Sequence, residues 1–197
     1  MTDAAASATG APPTRALLFD LDGTLVDTGA ANAEAYARAL AEAGVRVDAA
    51  AVARVASGRN WRQFLPELLA AAGSAVDPAV VARRKAELYP AAMDGLRLNA
   101  PLLALAAACR PAMRTALVTT ASGTNARAVL GHYALLSLFD VVVTGDDVGV
   151  HKPDPEAYHL AATRLGVAPS ECLAFEDSDI GVASARAAGV PVVQVVF

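Results

Sequence analysis

The chain has 197 residues, 55% hydrophobic and 18% charged, which suits one domain, or one core with a modest insertion, and excludes a disordered polypeptide. A net charge of −4, with no stretch dense in lysine or arginine, leaves no basic footprint and excludes nucleic acid as the expected partner. The two cysteines, Cys109 and Cys172, show no CxxC spacing, so they predict buried free thiols in a reducing compartment. No apolar run approaches the roughly 18 residues that span a bilayer, so no membrane partner is expected. The opening MTDAAASATGAPPT lacks both a basic n-region and an apolar h-region. Residues 1–14 therefore read as a disordered tail, and the expected location is cytoplasmic.

The first apolar run, Ala16–Phe19, reads as a buried strand and runs straight into Asp20, with Asp22 and Gly23 close behind. Residues 27–96 contain helical pieces such as AANAEAYARALAEAG and PAVVARRKAELYPAAM but no convincing strand. Beyond them, Thr115–Val118, Val141–Thr144, Leu173–Phe175 and Val190–Val196 are short apolar runs. They alternate with helical segments at Asn125–Leu130, Pro155–Leu165 and Gly181–Ala188. Gly166 and Gly189 stand where the last two helices should stop, as expected of C-terminal caps. Continuous apolar strands separated by helices require a parallel sheet covered on both faces. The prediction is a doubly wound parallel α/β sheet formed by residues 15–26 and 97–197, with an inserted all-helical cap over 27–96.

Ligands of such sheets bind outside the carboxyl ends of the strands. That rule gathers Asp20 and Asp22, the pair Thr119 and Thr120, Lys152 in GVHKPDP, and Glu176 with Asp177 at one edge. Each has an ordinary reading by itself. DG is a common turn, the threonines and Glu176–Asp177–Ser178 can cap helices, and Lys152 can be a surface lysine. Those readings do not explain the group. Carboxylates crowded at one edge repel unless a cation lies between them, and hard oxygen ligands suit Mg²⁺. A lysine and a hydroxyl beside the cation suit a phosphorylated ligand. One aspartate can then attack phosphorus while the other moves the proton. An EF-hand is excluded, because neither DLDGTL nor DSDIGV has glycine at the sixth position. No two of His132, His151 and His159 form a metal-like pair, and His159 reads as structural.

The motifs DLDGTLVDT, ALVTTAS, KPDP and FEDSDIGVASARAAG resemble, in order, the four motifs of the haloacid dehalogenase-like hydrolase superfamily. The similarity runs from Arg15 to Val196 and is to the branch of phosphatases and phosphomutases with a helical cap. It implies that Asp20 is the nucleophile, forming an aspartyl-phosphate, and Asp22 the general acid/base. Asp20, the Asp22 carbonyl and Asp177 would hold Mg²⁺, with Glu176 in the shell around it. Thr119 or Thr120, together with Lys152, would hold the phosphoryl group. The second aspartate favours phosphoryl transfer over dehalogenation. Two departures stand out: Asn32 lies about where related sugar phosphomutases carry a histidine, which favours hydrolysis, and the chain stops after a strand where relatives usually continue.

The expected activity is hydrolysis of a small phosphate monoester, by a monomer or weak dimer, on a small phosphorylated metabolite. A phosphomutase of the β-phosphoglucomutase type and a phosphoacceptor signalling domain are the alternatives. Substrate choice is expected in the cap, at SGRNWRQFL, where Arg59 or Arg62 would meet a substrate anion and Trp61 either packs inward or joins them. The chain crossings near Asp27 and Asn99–Pro101 would act as hinges.

Overall fold

The computed structural model describes residues 12–197, so residues 1–11 of the expected tail lie outside the described residues. In chain order the elements are β1 (Ala16–Phe19), α1 (Gly29–Glu42), α2 (Ala49–Ala56), α3 (Trp61–Ala71), α4 (Pro78–Leu88), α5 (Ala100–Cys109), β2 (Arg114–Val118), α6 (Gly123–His132), β3 (Val141–Val143), α7 (Glu156–Leu165), β4 (Cys172–Glu176), α8 (Asp179–Ala187) and β5 (Val192–Gln194). The five strands form one sheet in the order β3-β2-β1-β4-β5, with each neighbouring pair parallel. The fifth strand is shorter than the apolar run Val190–Val196 predicts. It lies at the sheet edge behind Pro191, whose nitrogen cannot donate to a ladder. Gly166 caps α7 in the left-handed conformation at φ 69, as its position in the sequence predicts.

The sheet is apolar on both faces because its strands are buried on both. Leu17, Phe19 and Leu117 pack with Leu102 and Ala106 of α5 and Val129 and Leu130 of α6. Ala16, Leu18, Ala116 and Val118 face Tyr158 and Ala161 of α7 and Ala185 of α8. Phe19 is fully buried and stacks on Phe175 at 5.0 Å between ring centres. Burial of a side chain of this size contributes about 1.5–3 kcal/mol, so β1 and β4 are held rigidly where their carboxyl ends carry the polar residues.

Helices α1–α4 build a separate apolar cluster from Tyr36, Leu40, Val52, Phe64, Leu65, Leu69 and Val81. The chain enters and leaves this helical unit at adjacent points. Val26 and Leu98 form an antiparallel bridge, Asp27 N donates to Arg97 O at 2.9 Å, and Asn99 N donates to Leu25 O at 2.9 Å. The Asn99 amide also holds Thr24 O at 3.0 Å. Among the described residues no helix is long and apolar enough to cross a membrane.

Candidate active site

The strand order reverses beside β1, with β2 and β3 to one side and β4 and β5 to the other. The crevice outside the carboxyl ends of β1 and β4 is therefore the binding position such sheets offer. Asp20 extends β1 by one residue and donates its backbone N–H to Phe175 O at 3.1 Å. Gly23 follows with φ +84, and a Cβ there would collide with the Asp177 carboxylate. Only glycine permits this turn to close against β4. The DG turn and the carboxylate site thus coexist.

Lys152 is no surface lysine: it is 2% exposed and reaches beneath this edge. Its Nζ donates to Asp20 Oδ1 at 3.0 Å, Glu176 Oε1 at 2.5 Å and Val118 O at 2.8 Å. The Tyr158 hydroxyl donates to the same Glu176 oxygen at 2.5 Å. Burial by itself would push the ammonium down, but Asp20 and Glu176 outweigh it and hold its pKa above the ordinary lysine value. Burial raises the Asp20 carboxyl well above the usual range; Lys152 opposes this, and Glu176, Asp177 and Asp22 add to it. Asp177, half-buried, is pushed up to about 6 by burial and then by Glu176. One oxygen from each of Asp20, Glu176 and Asp177 lies within 4.8 Å of the others. Three carboxylates thus share one directly bonded or adjacent cation, Lys152, which is an electrostatic deficit at this edge.

Asp22 is held by side chains from both parts of the chain. Thr28 donates to Oδ1 at 2.5 Å, Asn32 Nδ2 to Oδ1 at 3.1 Å and Thr119 to Oδ2 at 3.4 Å. Thr119 is buried and also accepts from Ala121 N at 3.0 Å, while Thr120 lines the cavity. Ser178 caps α8 by accepting from Gly181 N at 3.1 Å, which leaves Glu176 and Asp177 free of that task. His159 sits against Ala188 O at 3.2 Å, a structural position.

Over this edge the helical unit is closed, leaving a cavity of about 500 Å³ between it and the sheet. Asn60 and Gln63 form a capping box at the start of α3 and spend their remaining donors on the core. Asn60 Nδ2 reaches Thr120 O at 2.7 Å and Gln63 Nε2 reaches Lys152 O at 3.2 Å. Arg59 lines the cavity, but both terminal nitrogens are engaged by Glu67, at 2.6 and 2.9 Å. Arg62 does not line it. Its guanidinium lies 4.5 Å over the Trp61 ring and pairs with Asp146 at 3.1 Å. Trp61 packs inward on the cap cluster and also lines the cavity.

Residues 14–189 match the family model for haloacid dehalogenase-like hydrolases. The chain belongs to this family. It is 35% identical over 181 residues to the fructose-1-phosphate phosphatase YqaB of Escherichia coli, covering 91% of this chain and 95% of that protein. It is 33% identical over 174 residues to the validoxylamine A 7'-phosphate phosphatase of Streptomyces hygroscopicus, covering 88% and 81%. Among solved structures, a CbbY variant from Rhodobacter sphaeroides in complex with xylulose-(1,5)bisphosphate superposes with a TM-score of 0.84. That pair is 27% identical, with 93% of this chain and 87% of that one covered.

The sequence reading of this haloacid dehalogenase-like hydrolase overlooked several contributors. Thr28, Tyr158 and the Asn60–Gln63 pair act through contacts between segments far apart in sequence, and no local pattern announces them. Lys85 and Tyr89, both buried and both lining the cavity, were also missed. For Lys85 a signal existed: the chain has fourteen arginines and two lysines, Lys85 and Lys152, and both lysines line this cavity.

Proposed function

We propose that this protein hydrolyses a small sugar or polyol phosphate monoester, with Asp20 as nucleophile, Asp22 as general acid/base and Mg²⁺ as the metal. The observation that carries the reading is the carboxylate cluster at the switch point, joined to buried Lys152 and Asp22 beneath a closed helical unit. That the chain is a phosphatase of this superfamily rests on the family model and on the two phosphatases to which it is similar. The sugar class is supported by the fructose-1-phosphate for which YqaB is named and by the xylulose-(1,5)bisphosphate bound to the CbbY variant.

The donor set fits a hard divalent cation: closely spaced carboxylate oxygens, with one adjacent cation, Lys152, for three acidic groups. Asp20, Asp177 and the Asp22 carbonyl are the groups assigned to hold it. Glu176 commits Oε1 to Lys152 and Tyr158 and serves the shell around the site. Bound there, Mg²⁺ would compensate the charge of the phosphate and the attacking carboxylate.

Asp20 attacks phosphorus, forming an acyl phosphate as the ester P–O bond breaks, and Asp22 gives its proton to the leaving oxygen. Asp22 then takes a proton from water as that water attacks the same phosphorus, which releases phosphate and restores Asp20. Lys152, with Thr119 or Thr120, holds the phosphoryl oxygens. Residues 15–26 and 97–197 form the catalytic core and 27–96 the cap, whose paired crossings serve as hinges. Asn32 meets Asp22 with an amide, which cannot move a proton, and this favours hydrolysis over phosphoryl return to a sugar.

Turnover of p-nitrophenyl phosphate and a panel of sugar phosphates with Mg²⁺ tests the reading. Asp20→Asn should abolish it. Asp22→Asn should retain more activity on p-nitrophenyl phosphate than on an alkyl phosphate, because a good leaving group needs less protonation. Equal losses would remove Asp22 from the acid/base role. A stable phosphoprotein without turnover would identify a signalling domain instead.

A further inference from the structure

Tyr158 is the third residue of α7 and is fully buried, in one apolar cluster with Ala16, Leu18, Ala116 and Val118 of the sheet. Phenylalanine would meet that packing equally well, so the hydroxyl needs an explanation of its own. It donates to Glu176 Oε1 at 2.5 Å, and Lys152 Nζ donates to the same oxygen at 2.5 Å. Lys152 reaches that oxygen from the loop after β3, and Tyr158 from the start of the helix that follows.

An ammonium has three protons to donate. Those of Lys152 go to Asp20 Oδ1 at 3.0 Å, Val118 O at 2.8 Å and Glu176 Oε1. All three donors are spent within the chain. Lys152 can therefore hold a phosphoryl oxygen only by giving up one of these bonds.

The three acceptors differ in what they would lose. Val118 O is fixed in β2 and anchors the ammonium. Asp20 has no other hydrogen-bond donor among the described residues. Glu176 Oε1 keeps Tyr158, so it can release Lys152 and still be hydrogen-bonded. It is thereby spared most of the cost of a buried carboxylate oxygen left without a donor. Glu176 cannot turn to find another donor. A Cβ on Gly181 would lie 2.0 Å from Glu176 Oε2, so the carboxylate is seated against the bare backbone of α8.

We propose that Tyr158 is a positioning residue for phosphoryl binding: its hydroxyl holds Glu176 Oε1 when Lys152 turns one N–H from that oxygen to the phosphoryl group. This rests on the phosphatase reading, in which Lys152 holds phosphoryl oxygens. Neither Tyr158 nor Glu176 lines the cavity, whereas Lys152 does. The hydroxyl thus acts on the substrate only through Lys152.

Tyr158→Phe keeps the ring and removes the hydroxyl. The readout is ligand affinity rather than melting temperature, because any buried hydrogen bond contributes to stability. Calorimetric titration with inorganic phosphate, at saturating Mg²⁺, compares the variant with wild type. In the variant, Lys152 can serve phosphate only by stranding Glu176, so the dissociation constant should rise about tenfold or more. A hydroxyl that merely supports the fold acts alike on free and bound protein. A rise of less than about threefold would therefore overturn the proposal. Repeating the step in Glu176→Gln protein tests the route, since an amide carries no charge to strand. There Tyr158→Phe should change phosphate affinity by less than about threefold. An equal effect in both backgrounds would show that the hydroxyl does not act through Glu176, and would refute the proposal.

Turnover separates this inference from the reading beneath it. The phosphoryl end is common to all esters, so Tyr158→Phe should lower kcat/KM on p-nitrophenyl phosphate and on fructose 1-phosphate by the same factor, about tenfold. A loss confined to one ester would place the effect at the leaving group and overturn the proposal. Full activity of the variant beside an active wild type would do so too, and would leave the phosphatase reading intact. A wild type that neither binds phosphate nor turns over an ester would overturn both.

Discussion

Replacing Lys152 by methionine isolates the electrostatics of the site from its packing, because the two side chains have similar length and volume. Lys152 Nζ stands 3.0 Å from Asp20 and 2.5 Å from Glu176. At an effective dielectric near 20, each pair attracts with about 5–7 kcal/mol, most of it offset by desolvation of the three ions. Removing one partner of such a buried group leaves uncompensated charge and costs about 3–5 kcal/mol. For a chain of this length 1 kcal/mol moves the melting temperature by roughly 2–4 °C. Lys152→Met without divalent cations at pH 7 should therefore melt about 6–20 °C below wild type. Adding Glu176→Gln removes one of the stranded carboxylates, so the double variant should recover part of the loss. Thermal unfolding by circular dichroism measures both. A single variant within about 2 °C of wild type, which is below 1 kcal/mol, or a double variant less stable than the single, would refute the reasoning.

Asp177 supplies a pH test. Its folded pKa is raised from 3.8 to about 6, so the folded state holds the proton more tightly than the unfolded chain. Without metal, stability should fall as pH rises through that window, by about 3 kcal/mol at most and nearer 1 kcal/mol once solvent screening of this half-buried group is allowed for. Mg²⁺ must displace that proton, so the rise in melting temperature that it produces should be large at pH 7.5 and vanish near pH 5. A shift independent of pH would count against Asp177 as a ligand. Asn60→Asp keeps the oxygen that caps α3 and removes the amide that holds Thr120 O. With one closing hydrogen bond gone, kcat/KM for a sugar phosphate should fall by up to about tenfold, while unfolding stays near that of wild type. Unchanged kinetics would make that contact incidental to closure.

Most of the fold was legible because a parallel sheet buried on both faces writes each strand as an unbroken apolar run. Ala16–Phe19 and Leu173–Phe175 are recognisable for that reason, and both run into polar residues because the chain leaves the sheet at the crevice. The switch-point rule then brings Asp20, Lys152 and Asp177 together without coordinates. The first two meet at 3.0 Å in the structure. The helical insertion was legible as a stretch without strands.

What tertiary structure alone decided is which charges face one another. Glu176 gives no sign in the sequence of its partners, and only the packing of β4 against the loop after β3 and α7 places Lys152 and Tyr158 on the same oxygen. Arg62 reads as a substrate contact until the loop after β3 presents Asp146 to it. Lys85 sits in RRKAEL like any solvated helix residue, and becomes a buried donor because Tyr36 of α1 and Tyr89 beyond α4 close around it. Periodicity reports which face of an element is apolar, since that is a property of neighbours along the chain. The burial and pairing of a charge depend on atoms brought within a few ångströms from distant segments, and only the packed chain sets those distances.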